Sequence, residues 1–157
     1  MNNFDAIVVG SGISGGWAAK ELCEKGLKTL LLERGRQVEH VKDYPTASMA
    51  PWDFPHANQM SKKMQEEQFI QIKGFCNEAN SHFFVNDKEH PYNQVKPFDW
   101  IRGYHVGGRS LMWGRQCYRW SDLDFEANAK EGISIDWPIR YKDIAPWYSY
   151  VEKFVGI

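Results

Sequence analysis

No stretch of this sequence is apolar for the length that a bilayer crossing needs. No basic leader with an apolar core precedes the first strand-like run, so a cytoplasmic protein without a signal peptide is expected. Cysteine is scarce: Cys23, Cys76 and Cys117 stand far apart, odd in number and without CxxC or Cys/His ligand spacing. A disulfide scaffold is therefore not expected, and buried or inert thiols in a reducing compartment are. Histidine is no richer in pattern, since His40, His56, His82 and His90 never pair at ligand spacing and no metal site is expected. Charge is balanced, 19 basic against 20 acidic residues, a net charge of −1. Nucleic acid and anionic membrane are excluded as obvious partners.

What the chain does have is aromatic surface. Aromatics make up 15% of its 157 residues, with seven tryptophans. That exceeds the need of one small core, so some are expected to line a pocket or face a part of the molecule outside this sequence.

The strongest pattern lies in the first thirty-five residues. Ala6-Ile7-Val8-Val9 is a short apolar run of the kind that is buried on both faces of a parallel sheet. It enters Gly10-Ser11-Gly12-Ile13-Ser14-Gly15, followed by a helical stretch from Gly16 to about Lys25, with Ala18, Ala19, Leu22 and Cys23 on one face. Gly26 ends that helix, and Thr29-Leu30-Leu31-Leu32 is a second buried-strand run stopping at Glu33. A GxGxxG sequence carries weight in this strand–turn–helix–strand context. Gly10 allows the tight turn, Gly12 lets backbone approach a pyrophosphate, and Gly15 lets the helix pack on the strand. The anion would rest at the helix N-terminus, in a turn that also holds Ser11 and Ser14. Glu33 stands at the spacing of an acid that binds the adenosine ribose, which speaks against a 2′-phosphate; the adjacent Arg34 weakens that exclusion. These residues point to the ADP half of a dinucleotide and leave FAD and NAD both open.

Residues 40–100 read as a long loop anchored by aromatics and prolines, with a short helix over 57–68 and short strands at 69–73 and 82–86. Ordered loops of such length are usually functional arms or lids. Lys62, Lys63, Glu66 and Glu67 read as a solvated helix face. Further on, RGYHVGGRSLMWGRQ (102–116) has no period, and its Gly107-Gly108 pair marks a turn or a close backbone approach. Ser121 reads as a helix start with Gly132 as its stop. Residues 143–155 form an amphipathic helix whose stripe of Ile144, Trp147, Tyr148, Val151, Phe154 and Val155 must bury against something, with Pro146 in its first turn.

Only one βαβ unit is legible. The expected fold is α/β, an incomplete Rossmann-like domain: a βαβ unit over 1–36, a loop-rich arm over 37–100, and a glycine-pair segment with helices over 101–157. An N-terminal part of a longer chain is expected, with the substrate domain absent.

Three stretches in this order resemble the glucose–methanol–choline (GMC) flavin oxidoreductases. They are VVGSGISGGWAAKEL…TLLLERG, RGYHVGGRSLMWGRQ, and RWSDLDF…DWPIRYKDIAPWYSYVEKFVGI. The likeness covers roughly residues 4–36 and 98–157 and points to the branch of sugar dehydrogenases and pyranose oxidase. It implies FAD as cofactor and hydride transfer from a CH–OH group of a sugar or alcohol to flavin N5, with an unknown electron acceptor. It also implies that Gly107, Gly108 and Ser110 wrap the pyrophosphate–flavin stretch, with Met112 and Trp113 beside the isoalloxazine. Family members with covalent flavin carry a histidine four residues after the second glycine; Met112 stands there, so FAD is expected to be non-covalent and a dehydrogenase favoured over an oxidase. The family's catalytic base lies near the carboxyl end of a much longer chain, and none is assigned here. Arg102, Arg109, Arg115 and Arg119 are either contacts for phosphate or reduced flavin, or packing arginines. Two other readings stay open: a non-catalytic dinucleotide-binding module, and an NAD-linked Rossmann dehydrogenase.

Overall fold

The computed structural model describes residues 3–157. The chain forms two units, one through Gly114 and a second over Arg115–Ile157.

In the first unit, strand β1 (Ala6–Val9) runs parallel to β2 (Thr29–Leu32), in the register Ala6↔Thr29 through Val9↔Leu32. Helix α1 (Ile13–Glu24) connects them. It begins at Ile13, with Gly12 as its N-cap, three residues earlier than its apolar spacing suggests, because the glycine turn itself becomes the first helical turn. Its end is a Schellman closure: Gly26, at φ +81°, donates to the Cys23 carbonyl and Leu27 to that of Leu22.

The sheet departs from the expectation of burial on both faces. Side chains alternate across a strand, and Val8 is buried against the α1 side, whereas Ile7 and Val9 are 63% and 81% exposed. Among the described residues the sheet has only these two strands, with α1 on one face. The run is therefore covered on one side, and α1 itself has no buried residue.

The core of this unit lies instead in the stretch read as loop. Met60, Cys76, Phe83 and Phe84 form a buried cluster, with Tyr44, Met64, Ile101, Leu111 and Met112 packed against it. Helix α2 (Lys62–Glu67) is shorter than the expected 57–68. Ser61 caps it, its Oγ accepting the Met64 N–H at 3.2 Å, while His56 and Ala57 sit in left-handed backbone that cannot continue a helix. Lys62, Lys63 and Glu66 face solvent as expected. The strands expected at 69–73 and 82–86 are a helical turn, α3 (Phe69–Ile72), and a 3-10 turn over Ser81–Phe83. Local bonds such as Ile72 N–H to the Gln68 carbonyl replace a ladder. A one-turn helix is too short to show a period of its own.

In the second unit, α4 (Asp122–Lys130) starts where Ser121 predicts, with Ser121 N–H and Oγ both donating to the Asp124 carboxylate at 2.7 and 2.8 Å. Gly132 closes it at φ +66°. Phe125 is buried beneath Trp120 and Trp137. Helix α5 (Tyr141–Val155) begins two residues before the expected start, so Pro146 lies in its second turn. Its aromatic stripe is not covered: Trp147 and Phe154 are 63% and 58% exposed, and no α5 residue is buried. No helix among the described residues is long and apolar enough to cross a membrane.

Candidate dinucleotide and flavin site

Each glycine of the first turn is required for a different reason. Gly10, at φ +91°, occupies backbone that a side chain strains, and its N–H donates to the Leu32 carbonyl at 2.7 Å. Gly15 is a packing glycine, since a Cβ there would lie 1.9 Å from the Gly10 carbonyl oxygen. Gly12 is different. Its φ of −64° and ψ of −174° suit any residue, and a Cβ would meet only the Gly107 oxygen at 3.9 Å. Nothing in the folded chain demands a glycine at Gly12; the space that a Cβ would fill opens onto a cleft.

That cleft has a volume of about 530 Å³, within the range of small-molecule sites. Gly10, Ser11, Gly12, Glu33, Arg34 and Gly108 line one side, and Trp100, Arg102, Tyr104 and His105 the other. The second wall is brought in by pairing beyond β2. Arg36 N–H donates to the Tyr104 carbonyl at 3.2 Å and Val106 N–H to the Arg36 carbonyl at 2.9 Å. Gly35 makes this pairing possible, because a Cβ there would lie 2.1 Å from the His105 nitrogen. Gly35 escaped the sequence reading; its only signal was its place directly after Glu33-Arg34.

Glu33 and Ser11 tie the site together. One carboxylate oxygen of Glu33 accepts the Ser11 N–H at 2.8 Å and the Ser11 hydroxyl at 2.6 Å; the other accepts the Gly35 N–H at 2.8 Å. These donors hold the Glu33 carboxyl at about 2, below its ordinary 4.5, the Ser11 hydroxyl contributing most. The first oxygen then has both lone-pair sites in use, and the second keeps one for a ligand hydroxyl. Ser11 Oγ in turn accepts the Gly107 N–H at 3.0 Å, so two glycine segments 96 residues apart meet on one hydroxyl. Gly108 faces Gly12 so closely that a Cβ on it would lie 3.4 Å from Gly12 Cα. Ser110 closes its own turn, Oγ donating to the Gly107 carbonyl at 2.7 Å. Ser14 is exposed on the first turn of α1.

The arginines sort into separate roles. Arg102 is buried and largely committed, with Asp87 at 2.7 Å, Tyr104 Oη at 3.0 Å, the Trp100 carbonyl at 3.2 Å and the His90 carbonyl at 2.5 Å taking four of its five N–H donors. Arg119 is held by Glu152, Tyr141 and Ser149 within the second unit. Arg34 stacks over the Tyr104 ring, 3.7 Å from its centroid. Arg109 has no carboxylate partner among the described residues and lines a second cleft of about 370 Å³, with Phe75, Phe84, Ile101, Met112 and Trp113. The structure thus assigns Gly10, Ser11, Gly12, Glu33, Arg34 and Gly108 to one cleft and Met112 and Trp113 to another, with Gly107 and Ser110 in the segment between them.

The βαβ unit and its glycine turn define a dinucleotide-binding protein of Rossmann-like type. Residues 8–63 match the family model described as NAD(P)-binding Rossmann-like domain. Along nearly its whole length the chain is similar to three curated proteins. These are the fructose dehydrogenase large subunit of Gluconobacter japonicus (24% identical; 98% of this chain, 27% of the relative), the gluconate 2-dehydrogenase flavoprotein of Pantoea cypripedii (25%; 99% and 26%), and the oxygen-dependent choline dehydrogenase of Xanthomonas axonopodis pv. citri (28%; 97% and 23%). The chain spans about a quarter of the length of these relatives. The similarity to these relatives supports the N-terminal portion of a GMC flavin oxidoreductase.

Proposed function

We propose that this chain is the FAD-holding part of an oxidoreductase acting on a CH–OH group of a sugar or alcohol, working as a dehydrogenase with an electron acceptor still to be named. The observation that carries the reading is the open space at Gly12, set where Ser11 joins Glu33 to the Gly107 segment. A backbone left bare at a helix start suits a pyrophosphate. An ionised Glu33 with one free acceptor position suits a ribose hydroxyl and repels a 2′-phosphate. Gly10, Gly12, Gly15, Gly107, Gly108 and Ser110 would border the pyrophosphate and ribityl stretch, with Ser14 at the start of the helix. Met112 and Trp113 in the second cleft would lie beside the isoalloxazine, and Arg109 at its edge would favour negative charge there.

When bound, FAD supplies the two-electron chemistry, accepting hydride at N5 from the carbon that bears the hydroxyl. The protein's part is to hold and orient the cofactor, and a positioned base must take the hydroxyl proton. None of these 157 residues is assigned that role. Met112 offers no nucleophile of the kind that covalent flavin uses, so the proposed FAD is non-covalent. The names of the relatives, among them a flavoprotein and sugar and alcohol dehydrogenases, support this reading.

The test is a titration of the purified chain with FAD, followed by visible absorbance and fluorescence, with NAD as the parallel arm. FAD uptake with release on denaturation is expected. Binding of NAD alone would favour an NAD-linked dehydrogenase, and binding of neither would reject the cofactor reading.

A further inference from the structure

Three helices in this chain end at a glycine in left-handed backbone: Gly26 after α1, Gly132 after α4 and Gly156 after α5. A fourth closure has the same bonds with a different residue. After α3, Phe75 N–H donates to the Ile72 carbonyl at 3.1 Å and Cys76 N–H to that of Gln71 at 3.3 Å. This is the pair that Gly26 and Leu27 make at the end of α1. The left-handed position is Phe75, at φ +67°. The neighbouring glycine, Gly74, is held for another reason, since a Cβ on it would lie 2.7 Å from Ile101 Cδ1.

A phenylalanine in this conformation is strained, and packing does not compensate for it, because Phe75 is 85% exposed. Of the non-glycine residues with positive φ (Val41, His56, Ala57, Asn58, Phe75 and Arg115), Phe75 is the one that lines the cleft shared by Met112 and Trp113. The closure therefore holds an aromatic ring at the mouth of an apolar cleft, at a position where glycine would be the stable choice.

We infer that Phe75 is a contact for the flavin ring system, covering with Trp113 the planar ring that the second cleft receives. This rests on the cofactor reading above and adds a residue to it. The occupant follows from adjacency along the chain: Gly108 lines the Glu33 cleft, and the residue after it, Arg109, lines this one with Met112, Trp113 and Gly114. A planar aromatic ligand stacks on such side chains, whereas the adenosine end would lie in the other cleft.

The test compares wild type, Phe75→Gly and Phe75→Tyr in three measurements: melting temperature without ligand, FAD affinity, and ADP affinity. Phe75→Gly should melt a few degrees higher, because it relieves the strain. It should bind FAD about tenfold more weakly and ADP unchanged, and Phe75→Tyr should keep FAD affinity. Unchanged FAD affinity in Phe75→Gly, equal loss of FAD and ADP binding, or a lowered melting temperature would overturn the assignment. A wild-type chain that binds neither ligand would instead reject the cofactor reading beneath it.

Discussion

The Gly107 N–H donates to Ser11 Oγ at 3.0 Å, joining two glycine segments that lie 96 residues apart in sequence. The same hydroxyl donates to Glu33 at 2.6 Å. One small side chain thus sets the spacing between the first turn, the acid after β2 and the second glycine segment.

Replacing Ser11 by alanine removes the acceptor of Gly107 and one donor of Glu33 together. Each lost bond to a part-buried group costs about 1 kcal/mol, more where a charge is involved. Urea unfolding should show Ser11→Ala less stable by about 1–2 kcal/mol. Ser11→Thr, which keeps the hydroxyl, should recover most of the loss.

The glycines of the first turn should separate under alanine substitution. Gly15→Ala places a Cβ 1.9 Å from a backbone oxygen. The helix must move off the strand, at a cost of about 2–3 kcal/mol. Gly12→Ala meets open space in allowed backbone. It should leave melting unchanged or slightly raised, while weakening FAD binding at least tenfold. Calorimetry and FAD titration on both variants check the pair; equal effects of the two on stability would remove the argument that Gly12 is bare for a ligand.

Acid sensitivity should carry the signature of Glu33. Its folded carboxyl sits at about 2 against an ordinary 4.5, so between these values the unfolded chain binds more protons. The stability that it contributes is complete above about pH 4.5 and is lost as pH falls towards 2. The gap in unfolding free energy between wild type and Glu33→Gln should be flat near neutral pH and close through that window. Asp43 and Asp124, also held low, titrate alike in both proteins and drop out of the difference. Arg34, Arg102 and His105 line the same cleft and are common to both.

The thiols should react unequally. Against the expectation of buried or inert thiols, Cys23 and Cys117 are exposed; only Cys76 is buried, and its thiol is pushed up to about 12. A thiol reagent at neutral pH should modify two cysteines in the native chain and the third only on unfolding, as counted by mass spectrometry.

Local structure is legible in the sequence where one residue type has one physical job. Gly10 and Gly26 announce positive φ, Ser121 announces a cap, and the apolar runs at 6–9 and 29–32 announce strands. Burial was not legible in the same way. A run such as AIVV reads as doubly buried whether or not a second layer covers it, and Ile7 and Val9 are bare on one face. In the middle stretch, FIQI reads as a short strand but turns as a helix, because a single turn is set by local bonds and tertiary packing around Cys76 and Phe83. The Ser11–Glu33–Gly107 joint was hidden for a related reason. Each residue was a candidate alone, but the contact that makes them one site spans most of the first unit.

The most direct measurement of the account is FAD titration of the purified wild-type chain, read by flavin absorbance and by release on denaturation. The expected result is saturable uptake of one FAD per chain that denaturation sets free. A chain that remains colourless at every FAD concentration, although cooperatively folded, would contradict it.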